Sequence, residues 1–497
     1  MTEYAPDAAF ARSQQVHAGI EEWLASPAAG GLEHAVLEDE LAARGRELMR
    51  QALQDHLDLR AAREQRQEQA AGPDGITRRR AERGHSRPLA TVFGQVTVSR
   101  IAYRAPGAAN VHPADAELNL PPEMHSHGVR KLAASGAAHG SFEHACADVT
   151  TRTGSRLGKR QCQELARRAA RDFAGFYAGS GRRPPPAAPG DVLALSCDGK
   201  GIVVLPSAMR PDAARRAGKA VPKQDGRLSR GEVRNRKRTA GTGAVFNITP
   251  VPRTAAAILD PGPGRPPGPT ASGKWVTASI TSDAATVVAD VLAEADRRDP
   301  GRQRTWIALA DGNKHQISRI QAEAAARGIT ITIICDFIHV LEYLWKAAWC
   351  LFPEASPGAG PWVRAHAAAI LDGNAAAVAA AIRDQAARPG LSAANRTTAT
   401  RTADYLDNKA PYLHYPQALA AGWPISTGVI EGTCRHLVKD RMDITGARWG
   451  LDTAEAILKL RALHANGDFD AYWKYHLQQE HQRNHPTRHD DSHTLAA

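Results

Sequence analysis

The chain has 497 residues, with 63 Lys and Arg against 52 Asp and Glu, a formal charge of +11 and a pI near 9.5. That length supports several domains, and that charge favours a polyanionic partner. No apolar run reaches the roughly 18 residues of a membrane span, MTEYAPDAAFARSQQ lacks a signal-peptide layout, and the six Cys residues form no CxxC pair, which argues for a reducing cytoplasm and against a disulfide scaffold or zinc ribbon.

Residues 9–70 read as helix, because Leu32, Val36, Leu37, Leu41, Leu48, Leu53 and Leu57 recur at steps of three and four. Residues 60–87, with Arg78, Arg79, Arg80 and Arg83, suit a solvated linker or a phosphate-touching arm. Residues 90–105 (ATVFGQVTVSRIAYRA) alternate apolar and polar around Gly94 as a β-hairpin does. Three helices follow within residues 127–178, with Ser141 as N-cap of the second and a turn at Gly154-Ser155 before the third. The third carries Lys159, Arg160, Arg167, Arg168 and Arg171, which fits either a helix-turn-helix reader or a bundle with a basic solvated face.

The Pro-rich stretch 182–190 (RRPPPAAPG) marks a domain boundary. Beyond it, strands are expected at 192–196, 202–206, 243–249, 305–310 and 329–335, with a helix at 282–298 before the fourth. This order predicts a mixed sheet: three sequential antiparallel strands, then crossover connections. Residues 250–273 are Pro/Gly-rich and read as a loop, residues 340–421 as an Ala-rich helical block, and 453–482 as a final helical region. The basic run between Arg210 and Arg238, which includes Arg234, Arg236, Lys237 and Arg238, reads as a solvated insertion or as an extension of a DNA footprint.

Three stretches carry chemistry: LALSCDGKG with Asp198, WIALADGNKHQ with Asp311, and STGVIEGTCRHLVKDRM with Glu431. Each aspartate follows an apolar run and precedes a Gly, at the exit of a buried strand. Singly, such an Asp-Gly is a turn. Jointly with a helical glutamate, the three supply the carboxylates that two Mg²⁺ ions about 4 Å apart require for phosphodiester chemistry. Arg435 and Lys439 follow Glu431 at i+4 and i+8, as helix ion pairs or as phosphate holders. Trp449, in GARWG directly after Arg448 and downstream of Arg441, is either a base-stacking or a core aromatic. Asp336 and His339 (CDFIH) are either a helix cap with a satisfied histidine, or a pair that shapes the metal site.

At these residues the chain resembles bacterial insertion-sequence transposases of the DDE class, most closely the ISKra-type family, related in plan to Mutator-like transposases. The resemblance runs from about residue 85 to 478 and is most specific in GWPISTGVIEGTCRHLVKDRMDITGARWGLDTAEAILKLRALHANGDFDAYW. It implies an α/β fold, with an RNase H-like mixed-sheet catalytic domain, an α-helical insertion, and a mainly helical N-terminal DNA-binding region. The domains expected are 1–88 (helical region and charged linker), 89–181 (hairpin and helix-turn-helix-like region), 190–339 (core, first part), 340–421 (insertion), 422–482 (core, C-terminal part) and 483–497 (polar tail). Carried over by position, Asp198, Asp311 and Glu431 are the catalytic and metal-holding residues. The stretch Asp336 to His339 looks like the D/C-x-x-H signature of the Mutator-like group, which adds His339 to the catalytic candidates.

The cofactor this implies is Mg²⁺, with Mn²⁺ as a substitute. The implied partners are double-stranded DNA (terminal inverted repeats and target) and a second copy of the chain in a synaptic complex, in the bacterial cytoplasm at the nucleoid. The DNA contacts expected are Arg435, Lys439, Arg441, Arg448, Trp449, Arg234, Arg236, Lys237, Arg238, Lys159 and Arg160. Two other readings are an RNase H-like DNA nuclease and a non-catalytic DNA-binding protein derived from a transposase. The second predicts a lost acidic residue, and all three are present.

Overall fold

The computed structural model describes residues 9–72, 74–179, 185–219, 236–260, 267–444 and 446–485. The chain divides into two compact units, Met1–Gly179 with Gly467–Ala497, and Ser180–Asn466. The division falls beside the Pro-rich stretch.

In the first unit, α1 (Ala11–Leu24) pairs with the 30-residue α2 (His34–Arg63). The buried Asp55 accepts from the Ser13 backbone N–H at 2.9 Å and meets Arg12 Nε at 3.0 Å, which fixes where the two helices cross. The hairpin β1 (Arg80–Thr91) and β2 (Gly94–Arg104) is antiparallel and longer than the alternation indicates. Much of the expected linker is therefore strand. Its side chains are polar, but a backbone ladder asks only for paired N–H and C=O groups, and these run out to Arg80 opposite Arg104. One face buries Leu89, Val96 and Val98 against Leu57 of α2.

Then come α3 (His127–His139), α4 (Phe142–Thr153) and α5 (Lys159–Ala169). Ser126 and Ser141 cap the first two, Ser141 as expected. The third expected helix is two pieces, with Phe173–Ala178 separate. The helix Phe469–Asn484 also belongs to this unit and not, as expected, to the catalytic core. Polar contacts seat it there: Arg130 with Glu480 at 2.8 Å, His476 with Asp172 at 2.6 Å, and Tyr177 Oη to Asp468 at 2.9 Å.

The second unit is built on a five-stranded sheet of β3 (Val192–Val203), β4 (Lys237–Thr249), β5 (Thr270–Ser279), β6 (Trp306–Ala310) and β7 (Thr332–Cys335). Its order is β5-β4-β3-β6-β7, antiparallel among the first three and parallel from β3 to β6 to β7. Two expectations fail in compensating ways. The strands expected at 192–196 and 202–206 are one strand, because β4 pairs along its whole length. The loop expected over 250–273 ends in β5, which starts at Thr270.

The helix α6 (Ala284–Arg298) bridges β5 to β6, and its Val287, Val288, Val291 and Leu292 are buried. A β-carbon on Gly243 of β4 would stand 2.3 Å from Val291 Cγ2, so glycine there lets helix and sheet meet. The helix α7 (Lys314–Ala326) bridges β6 to β7. Leu193, Ala194, Leu195, Ile307, Ala308 and Ile334 are fully buried, as strands covered on both faces should be. After β7 comes the helical block of α8 (Phe337–Leu351), α9 (Ala359–Leu371), α10 (Ala375–Ala387) and α11 (Ala393–Lys409). The chain then returns through α12 (Gly428–Thr433) and α13 (Leu451–Ala465), so the final helical region is two helices in different units. Among the described residues, no helix is long and apolar enough to cross a membrane.

Candidate active site

Sheet register places three aspartates in one row. Ser196 pairs with Leu309, and Leu309 with Ile334. Two residues further along each strand stand Asp198, Asp311 and Asp336. This is the carboxyl end of the parallel strands, where open α/β sheets bind ligands. Asp311 leaves β6 as expected, and its carboxylate accepts from the Asn313 backbone N–H at 2.8 Å. Gly312 follows with φ +89°, a backbone that favours glycine and stops the strand. Asp198 corrects the expectation of a strand exit: it lies inside β3, opposite Thr242 of β4. Only the pairing with β6 stops before it, because β6 ends in the Asp-Gly turn.

Asp336 caps α8, accepting from the Ile338 N–H at 2.7 Å. It is 1 % exposed and also accepts from the Thr427 N–H at 3.1 Å and from the Thr427 hydroxyl. Thr427 is the residue before α12, and the Glu431 N–H donates to its carbonyl at 3.1 Å. Asp336 therefore fixes the turn that carries Glu431. The result is a group of Asp336, His339 and Glu431 whose ligand atoms lie within 4.8 Å of one another, with Glu431 exposed. His339 Nδ1 stands 3.5 Å from Asp336 Oδ2. Asp336 is therefore the helix cap expected of it, while His339 Nδ1 has no hydrogen-bond partner among the described residues.

Asp198 and Glu431 line one cleft of about 400 Å³, with Lys200, Cys434, Arg435 and Lys439. Glu431 sits in a regular α-turn, but Cys434–Lys439 is a π turn. The wider turn alters the i+4 and i+8 spacing expected of Arg435 and Lys439, yet both still border the cleft. Cys434 was missed by sequence reasoning, although it stands three residues after Glu431. Its Sγ donates to Asp198 Oδ2 at 3.3 Å and contacts Thr242 Oγ1 at 3.1 Å. Burial pushes this thiol up to about 12, with the charge of Asp198 adding to the shift, so it remains an S–H donor.

The basic candidates divide. Arg435, Lys439, Arg448, Arg236, Lys237 and Arg160 are exposed. Lys159 is exposed but paired with Glu143 at 3.0 Å. Arg238 is half-buried and donates to the Ile280 carbonyl at 3.0 Å, and burial lowers its pKa. Arg441 is 3 % exposed, with its guanidinium 4.9 Å from the Trp449 ring centre, so it is no surface contact. Trp449 is 5 % exposed and donates from Nε1 to the Met442 carbonyl at 2.9 Å. Its backbone bridges to Val204, so in this structure it is a buried residue beside β3, as the core reading has it. Arg234 lies outside the described residues.

Hard carboxylate oxygens at Asp198, Asp311, Asp336 and Glu431 suit a hard divalent cation, and the set fits one on donor chemistry. Cys197, Cys335 and Cys434 are each pushed up to about 12 by burial first, which leaves them poor thiolate ligands. Compared with known protein families and with curated proteins, the sequence matches none.

Proposed function

We propose that the chain is a DDE-class transposase of a bacterial insertion sequence, of the ISKra type, that cleaves and joins DNA strands at its element's terminal inverted repeats. The observation that carries this reading is the row of Asp198, Asp311 and Asp336, with Glu431, on a helix that follows a helical block, sharing a cleft with Asp198 and grouped with Asp336. The strand order supports the RNase H-like part of the reading. A sheet ordered third-second-first-fourth-fifth puts the first and fourth strands side by side, and with them Asp198 and Asp311.

Mg²⁺ or Mn²⁺ held by Asp198, Asp311 and Glu431 would supply an activated oxygen nucleophile and charge stabilisation at the leaving oxygen. This chain's own residues orient the reaction. Arg435 and Lys439 border the cleft beside Glu431 and hold phosphate oxygens. Asp336 holds Thr427, and through it the turn bearing Glu431. His339, whose Nδ1 stands 3.5 Å from Asp336 Oδ2, would pass a proton to the leaving oxygen. Exposed Arg160, Arg236, Lys237 and Arg448 add phosphate contacts along double-stranded DNA. A second copy of the chain would hold the other element end.

The test is metal-dependent cleavage and strand transfer on end-bearing DNA. Asp198→Ala, Asp311→Ala and Glu431→Ala should each lower both steps by roughly 10³-fold. Cleavage that survives all three substitutions sinks the assignment. Cleavage without strand transfer would favour the nuclease.

A further inference from the structure

Two residues of the helical block reach the turn that follows Asp311. Tyr405 and Lys409 stand one turn apart on α11. A β-carbon placed on Gly312 would lie 2.9 Å from Tyr405 Oη and 3.6 Å from Lys409 Cε. The Tyr405 ring stacks on Tyr343 of α8, with 3.9 Å between centroids and 9° between planes, so two helices fix it. Its Oη is buried and has no hydrogen-bond partner among the described residues. Leaving a hydroxyl so placed is costly, and a ligand oxygen at the acidic row would relieve it. Burial pushes the phenol well up, with Cys335, Tyr343, Asp311 and Asp336 adding, so it stays a donor. Lys409 is 9 % exposed, and its charge acts on Cys335 of β7, the residue before Asp336.

We propose that Tyr405 and Lys409 are positioning residues for Asp311, through which the helical block sets the geometry of the acidic row. The inference rests on the strand-cleavage reading above. It ties the block to the chemistry, because Tyr405 and Lys409 of α11 pack against the Gly312 turn that follows Asp311. Nothing in an Ala-rich block signals this from sequence, since Tyr405 and Lys409 read there as ordinary helix positions.

The experiment compares full-length wild type, Tyr405→Phe, Lys409→Met, Lys409→Arg and Asp311→Asn. Two readouts are used: Mn²⁺ binding without DNA, followed by electron paramagnetic resonance, and kcat and KM for strand cleavage. Tyr405→Phe and Lys409→Met should weaken Mn²⁺ binding and lower kcat by about tenfold, with KM for DNA unchanged and Lys409→Arg recovering part of the loss. If both variants bind Mn²⁺ and turn over within twofold of wild type while Asp311→Asn loses both, the positioning role falls and the strand-cleavage reading stands. Loss of kcat together with a fall in melting temperature and unchanged Mn²⁺ affinity marks a merely structural role and also overturns it. If Asp311→Asn binds Mn²⁺ and cleaves like wild type, the strand-cleavage reading falls, and this inference with it.

Discussion

Cys434 ties the π turn after Glu431 to Asp198 of β3 by a thiol hydrogen bond at 3.3 Å, and its Sγ also contacts Thr242 Oγ1 of β4 at 3.1 Å. Cys434→Ala removes the donor and leaves a small void, so its effect on stability should be near 1 kcal/mol. Its effect on the proposed cleavage should be larger, about tenfold in kcat, because Asp198 loses a fixed orientation. Cys434→Ser should recover most of the rate. Equal rates for the Ala variant and wild type would remove Cys434 from the site. Trp449 is a second case in which a single residue decides. Buried, hydrogen-bonded through Nε1 and covered by Arg441, it should cost about 3–5 kcal/mol when truncated to Ala, read as a shift in denaturation midpoint. A variant as stable as wild type but deficient in binding unpaired bases would restore the stacking role. The sequence around Trp449 could not choose between these roles, since Gly, Arg and Trp suit an exposed loop as well as a strand bridge. The neighbour that buries it, Val204, is 245 positions away in the chain.

At the scale of elements, the sheet was largely legible and its edges were not. Apolar runs at 306–310 and 332–335 mark buried parallel strands whatever surrounds them. The stretch DGKG inside β3 looks like a break, yet the strand passes through it because β4 supplies twelve residues of partner register. Conversely, the start of β5, TASGK, carries no apolar signal, and its strand state comes from pairing with β4. The π turn after Glu431 could not be read from residue types either, because an i→i+5 backbone pattern leaves none. That turn makes a testable point about phosphate contacts. Arg435 and Lys439 border the cleft on one side, so Arg435→Ala and Lys439→Ala should each weaken DNA binding across all sequences and reduce the salt slope by about one. A slope unchanged in the double variant would place both side chains off the DNA path. Gly312 tests the middle of the row, beside Asp311. Gly312→Ala meets both a strained backbone and Tyr405, and should cost more activity than the roughly 1–2 kcal/mol of a left-handed backbone implies. Cleavage and melting temperature together would show this.

For the whole molecule, the acid sensitivity of the first unit follows from its buried charges. His127 donates from Nε2 to the Asn119 carbonyl at 2.8 Å, and burial, reinforced by the Arg130 charge, lowers its pKa to about 4. An unfolded histidine takes up its proton near 6.5. Between pH 6.5 and about 4 the unfolded chain therefore binds a proton that the folded chain refuses, so stability falls as pH falls through that window. Glu480 acts next. Burial would raise its pKa, but Arg483 and Arg130 outweigh burial and hold it at about 2. Its contribution is present above the ordinary carboxylate range and is lost as pH drops from about 4.5 toward 2. Arg130 is 1 % exposed in its side chain and Glu480 6 %, so Arg130→Ala would take one of two guanidinium partners from a buried carboxylate, leaving Arg483, and should cost about 1.5–3 kcal/mol. Hydrogen exchange in the intact chain can read this locally. Peptides covering α3 and the helix Phe469–Asn484 should lose protection in two steps as pH is lowered, and His127→Gln should flatten the first step alone. Protection that stays constant from pH 6.5 to 4 in wild type would mean that His127 is not buried neutral.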